Sequence, residues 1–215
     1  MNSSKILWID MQPSLFCFNK RAVQSLSQNR PVRRWSFQHD PDESCTQETV
    51  ENMLHESISG SSEKFHLIGH GLSGVLACCF AAKYPQLIQS LTLLSVDTYT
   101  FNTWSSHYLK TRGQLCCDRL QILSHLSTLL FEPRDARVQL ALPRLLAKCL
   151  DYEFIQGSLI TNDHLGNLKK PNVPLLVVNG NDDYVIDRNS KKRWEELFSP
   201  GDFYKSIKGG RHFLQ

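Results

Sequence analysis

Phe65-His66-Leu67-Ile68-Gly69-His70-Gly71-Leu72-Ser73-Gly74-Val75-Leu76-Ala77 is the stretch on which the reading of this chain turns. An apolar run ends in a glycine-rich turn, and a small-residue helical pattern, Val75 to Ala82, comes at once after it. Strand, tight turn and helix in that order serve two different chemistries. In a dinucleotide site, Gly69, Gly71 and Gly74 spell G-x-G-x-x-G, and a pyrophosphate rests on the helix N-terminus. Such a site also wants an acid about 20 residues further on for the ribose hydroxyls. Asp97, at the end of Leu91-Thr92-Leu93-Leu94-Ser95-Val96, stands in that place. In a nucleophile elbow, the same turn instead lifts a single residue above the sheet, within G-x-S-x-G. The remainder of the chain decides between the two.

At 215 residues the chain is long enough for one domain with a real core. Apolar residues make up 41% and charged residues 21%, which is ordinary for a soluble globular protein. The net charge is +3, and its short basic runs, Arg33-Arg34 and Lys191-Lys192-Arg193, are followed by Trp35 and Trp194. They read as solvated faces rather than a nucleic-acid patch. The N-terminus has no apolar stretch of signal-peptide length, and no run approaches a membrane span. Seven cysteines without a C-x-x-C read as buried, reduced thiols of a cytoplasmic protein.

Taken in order, the pattern predicts a strand at Lys5–Asp10, a loop at Met11–Asn19 and a helix at Arg21–Ser27. A strand at Pro31–Phe37, a loop at His39–Glu43 and a helix at Thr46–Ile58 come next. Strands and helices thus alternate around the central stretch, which implies a mostly parallel sheet. From Thr98 to Leu168 no strand is predicted; two helices are, around Leu120–Leu130 and Val138–Leu150, the second containing Pro143. Strand character returns at Val173–Asn179, then a helix at Asn189–Phe198 and a strand at Asp202–Ile207.

The central stretch resembles the elbow of the α/β-hydrolase superfamily, whose common form is G-H-S-L-G-G, with serine and glycine exchanged. Phe80-Ala81-Ala82-Lys83-Tyr84-Pro85 and Ser90-Leu91-Thr92-Leu93-Leu94-Ser95 are similar to the family's elbow helix and next strand. The superfamily also inserts a helical cap after that strand and orders its triad nucleophile, acid, histidine. Gly180-Asn181-Asp182-Asp183 resembles its acid turn, and Gly209-Gly210-Arg211-His212-Phe213 its histidine turn. The resemblance runs from Lys5 to Phe213, whereas the dinucleotide reading explains only Phe65 to Asp97. It implies an α/β fold with a mostly parallel sheet: core residues 1–97, a helical cap at 98–168 and further core at 169–215. Set against the family's pattern, the stretch given starts near the usual third strand and stops just past the histidine, so a short version of the sheet is expected.

At the site, the resemblance implies Asp183 and His212 as acid and base, with Gly71 where the nucleophile belongs. Ser73 is the neighbouring hydroxyl, either a substitute nucleophile or a helix-start group that caps free N–H groups. The implied oxyanion donors are the N–H groups of Leu72 and Met11. Asp10 stands where the family often has His; its carboxylate either opposes an oxyanion or faces water. His70 is expected to pack beside the apex, and Asp97 to be a cap-loop residue or a substitute acid. These features predict a pseudo-hydrolase that binds a small apolar ligand or a protein partner, with no cofactor and no metal. The alternatives are a weak ester or thioester hydrolase, using Ser73 or a water activated by His212 and Asp183, and a flavin or nicotinamide protein using Gly69, Gly71 and Gly74.

Overall fold

The computed structural model describes residues 5–38, 40, 45–132, 135–153 and 166–214. Six strands form one sheet: β1 (Lys5–Asp10), β2 (Val32–Ser36), β3 (Phe65–His70), β4 (Ile88–Leu94), β5 (Leu175–Gly180) and β6 (Phe203–Ile207). Their order is β2-β1-β3-β4-β5-β6, and every neighbouring pair is parallel. The helices are α1 (Lys20–Ser27), α2 (Gln47–Ile58), α3 (Leu72–Lys83), α4 (Trp104–Gln114), α5 (Arg119–Leu130), α6 (Ala136–Tyr152) and α7 (Ser190–Leu197). The expected fold class, α/β with a mostly parallel sheet, is the observed one.

Parallel strands covered on both faces read as continuous apolar runs, and β1 shows why. Its alternate residues point to opposite faces. Leu7 and Ile9 join Leu67, Leu91, Leu93 and Val177 under Val50 and Leu54 of α2, Phe80 of α3 and Trp194 of α7. Ile6 and Trp8 join Ile68 on the other face, with Val23 and Leu26 of α1 packed against them. A separate apolar cluster joins Trp104 and Tyr108 of α4, Leu123 and Leu126 of α5 and Leu142 and Leu146 of α6 to Leu15, Val185 and Phe213. At the foot of that segment, Leu168 N–H donates to the Thr98 carbonyl (2.6 Å) and Tyr99 bridges Asn167.

The elements depart from expectation in four places. The loop after β1 contains a 3-10 turn, Pro13–Phe18. Helix α4 is not predicted, because Trp-Ser-Ser-His-Tyr-Leu-Lys-Thr-Arg-Gly-Gln shows few apolar residues at helical spacing; Thr103 caps it by accepting from Ser106 N–H. β4 starts early, at Ile88, and stops at Leu94, where Ser95 turns to φ 52. Of the cysteines expected to be buried, Cys45, Cys78 and Cys149 are, while Cys17, Cys116 and Cys117 are exposed; none of the seven forms a disulfide. The loop expected at His39–Glu43 and the stretch 154–165 of the expected cap lie outside the described residues, save Asp40.

Candidate active site

In parallel sheets with helical crossovers, the loops that leave the carboxyl ends of the strands converge on one crevice. Here those loops carry Met11 after β1, Gly71 after β3, Ser95 after β4, Asp183 after β5 and His212 after β6. The pairing continues past the strand ends, so the loops stay in register. Gly71 N–H donates to the Leu94 carbonyl, Ser95 N–H to Val178 and Asn181 N–H to Ile207, each at 2.9 Å.

Gly71 is the N-cap of α3, at φ 52 and ψ −124. That left-handed backbone suits glycine, which has no Cβ to clash. A Cβ built there would lie 3.4 Å from His212 Nε2, ordinary van der Waals contact. The apex therefore points at the histidine, as an elbow requires, but presents no side chain. Gly69 and Gly74 are used differently: a Cβ on Gly69 would meet the Ser73 carbonyl at 2.5 Å and Gly74 Cα at 2.6 Å. They let β3 and α3 touch backbone to backbone, so the G-x-G-x-x-G spacing is consumed by packing and by the turn.

His212 and Asp183 are brought together by a second close approach. A Cβ on Gly180 would fall on the Gly210 carbonyl, so the end of β5 and the turn after β6 lie against each other. Asp182 N–H donates to that same carbonyl at 3.0 Å. His212 Nδ1 then lies 3.1 and 3.2 Å from the two Asp183 oxygens, and Asp183 Oδ1 also accepts from Val185 N–H at 2.8 Å. His212 is only 1% exposed. Burial alone would push the Asp183 carboxyl up, but the His212 ring and these hydrogen bonds hold it below its ordinary value. With Nδ1 facing the carboxylate, the ring's Nε2 is left on the side of Gly71.

The histidine turn is held by groups that carry no signal in the sequence. Ser95 Oγ (2.6 Å) and His70 Nε2 (2.8 Å) both donate to the His212 carbonyl. Phe213 stacks on Phe131 with ring centroids 4.5 Å apart, and its N–H donates to the Leu130 carbonyl at the end of α5. Arg211 donates to the carbonyls of Phe131 and Thr128. In the sequence, Ser95 stands out only as a polar residue closing an apolar run.

His70 packs beside the apex, as expected, with its ring 4.9 Å from Phe213. Burial, and then the neighbouring His212, push it from 6.5 down to about 4. A histidine held neutral in the fold favours unfolding wherever the free side chain would be charged. Stability should fall as pH drops from 6.5 to about 4, at about 1.4 kcal/mol per pH unit from this group alone. Urea unfolding across that range checks this: His70→Gln should flatten the slope, and an unchanged slope would show that another group titrates.

Met11, Ser73 and Asp10 differ from expectation. Met11 N–H, the implied second oxyanion donor, donates instead to Ser73 Oγ at 3.0 Å, with both residues buried. Ser73 thus caps the end of β1 rather than its own helix, its hydroxyl oxygen accepting from Met11 N–H. Leu72 N–H, at the first position of α3, has no acceptor among the described residues. Asp10 neither faces water nor opposes an oxyanion. It is 4% exposed and paired with Arg34 of β2, whose Nε lies 2.8 Å from Oδ2, while Oδ1 accepts from Gln12 N–H. Burial raises its carboxyl, opposed by Arg34.

Asp97 is also buried, and its oxygens are fully engaged. They accept from Arg193 (2.8 and 3.1 Å), Thr98 Oγ1, Tyr99 N–H, Asn102 Nδ2 and Asp187 N–H. It organises the loops around β4 and α7, and no oxygen is left for a ribose. Among the described residues, the constellation therefore holds the hydrogen-bonded Asp183–His212 pair and the Leu72 N–H around Gly71.

No protein-family model matches the chain. An uncharacterized protein of Nostoc sp. is 29% identical over 211 residues, covering 97% of this chain and 83% of that protein. A bromoperoxidase from Bacillus anthracis superposes with a TM-score of 0.68 at 16% identity, over 99% of this chain and 86% of its own. An alpha/beta hydrolase fold protein from Chitinophaga pinensis does so with a TM-score of 0.65 at 15% identity, over 99% and 83%. Strand order and these likenesses agree: the chain has the α/β-hydrolase fold.

Proposed function

We propose that this protein is a non-hydrolytic α/β-hydrolase-fold protein that binds a small, largely apolar ligand between the sheet and the helical segment 98–168. One observation carries the reading: the elbow apex is Gly71, aimed at the base of an intact Asp183–His212 pair. Acyl transfer by this fold needs a hydroxyl at that point and two donors for the oxyanion. The first is missing, and one of the two donors is already bonded to Ser73. The test is turnover of p-nitrophenyl butyrate. No hydrolysis is expected above a His212→Ala control; hydrolysis that disappears with His212→Ala would show that water or Ser73 does the chemistry.

On this reading, residues 98–168 form a cap. The apolar cluster that packs α4, α5 and α6 over Leu15, Val185 and Phe213, and the pairing of Thr98 with Leu168 at the foot, support it. A cap that admits a ligand opens more readily than the sheet beneath it. Amides of α4, α5 and α6 are expected to exchange faster than those of Phe65–Ile68. Equal protection would mean that the segment is core. Seven cysteines without a disulfide fit a reduced, cytoplasmic setting, and no described helix is long and apolar enough to cross a membrane.

A further inference from the structure

We propose that the outward face of α6 docks on an anionic lipid surface, with its cations on the headgroups and its protruding apolar side chains between them. Such docking is separate from the chemistry at Gly71, because Leu142 and Leu146, on the inward face of α6, are the residues that pack toward Phe213. Arg137, Leu140, Arg144, Lys148 and Tyr152 share about a third of the circumference of this 17-residue helix. All five are exposed, Leu140 at 75% and Tyr152 at 67%. The three cations form no ion pair among the described residues. The acids of this helix and its ends are engaged. Asp135 caps its start by accepting from Val138 N–H, Asp151 pairs with Arg119 of α5, and Glu153 turns in to accept from Ser14 N–H.

A lone exposed leucine is ordinary. Exposed apolar and unpaired cationic side chains on one helical stripe are the pattern of a helix that lies on a membrane surface. The neighbouring helix adds to it. Arg119 donates to the Ala147 carbonyl at 3.1 Å as well as pairing with Asp151, which sets the exposed Leu120 near the end of α6. The two kinds of side chain together select the partner. A nucleic acid offers phosphates to Arg137, Arg144 and Lys148 but no apolar phase for Leu140. An anionic bilayer offers both: negative headgroups outside, and acyl chains just beneath that receive the leucine. The Tyr152 ring suits the boundary, its apolar body inward and its hydroxyl in water, while the long cationic side chains reach back to the headgroups.

Sedimentation of the full chain with lipid vesicles tests this. The expected result is saturable binding to vesicles of equimolar phosphatidylglycerol and phosphatidylcholine, about tenfold or more tighter than to phosphatidylcholine alone, and weakened by salt. Arg137→Glu, Arg144→Glu and Lys148→Glu combined should lower the affinity by about 100-fold or more, since each cation near such a surface is worth roughly fivefold. The same reversal at Lys192→Glu, Lys205→Glu and Lys208→Glu, exposed residues outside 98–168, should lower it by less than about tenfold. Leu140→Trp should bind like the wild type and shift its fluorescence emission to the blue on the anionic vesicles. Should the first triple variant fail to fold by circular dichroism, the lipid preference of the wild type and the Leu140→Trp emission decide. No binding, equal binding to the two kinds of vesicle, equal losses from the two triple variants, or an unshifted emission from bound Leu140→Trp would overturn the docking face. Tighter binding to single-stranded RNA or to polyglutamate than to the anionic vesicles would overturn it too.

Discussion

Gly71→Ser combined with Ser73→Gly is expected to react with a fluorophosphonate about 10²–10³-fold faster than Gly71→Ser alone. The first change puts a hydroxyl where His212 Nε2 can take its proton, because a Cβ at position 71 fits at 3.4 Å without displacing the ring. It also forces a side chain onto a backbone at φ 52, which should cost about 1–3 kcal/mol of stability. Alone, it leaves the oxyanion with only the Leu72 N–H. The second change releases Met11 N–H from Ser73 Oγ and supplies the other donor. Labelling rates of the wild type, both single variants and the double variant measure this. Equal rates for the single and double variants would show that Met11 N–H does not face the reacting centre. A Gly71→Ser protein of unchanged stability that reacts with no probe would show that position 71 is not an elbow apex.

Asp97→Ala is expected to be the most damaging single change, at about 3–5 kcal/mol. It leaves the Arg193 guanidinium, whose side chain is only 20% exposed, without its buried partner. It also strands the N–H groups of Tyr99 and Asp187 and the amide of Asn102. For a chain of this size, each kcal/mol lowers Tm by roughly 2–4 °C, so calorimetry should register a fall of roughly 10 °C. If Asp97 held a ribose instead, the variant would keep its Tm and lose binding of a flavin or nicotinamide nucleotide. That outcome would return the glycine-rich turn to the phosphate-binding reading.

Much of the fold is legible in the sequence because parallel sheets advertise themselves. Lys5–Asp10, Phe65–His70 and Leu175–Gly180 are nearly unbroken apolar runs, and the intervening segments show helical spacing. The elbow can be read despite Gly71, because the residues on either side keep the strand-turn-helix pattern. Asp183 and His212 can be placed because each comes after a strand in a glycine-bearing turn. Side-chain direction is what a linear pattern lacks. Ser73 reads as a nucleophile or a cap for its own helix, and only the approach of β1 to α3 shows its hydroxyl on Met11 N–H. Asp10 reads as water-facing or as opposing an oxyanion, whereas Arg34, on a neighbouring strand, neutralises it. Ser95 with His212, and Phe131 with Phe213, are pairs more than eighty positions apart, and no local pattern encodes such pairings.

The most direct test of a nucleophile-free elbow is mass spectrometry of the wild-type protein after exposure to a broad serine-reactive fluorophosphonate, with Gly71→Ser treated in parallel. The peptide spanning Phe65–Lys83 should carry no adduct in the wild type and one adduct, at position 71, in the variant. An adduct on Ser73 of the wild type, lost with His212→Ala, would contradict a non-hydrolytic site and make this chain a working serine hydrolase.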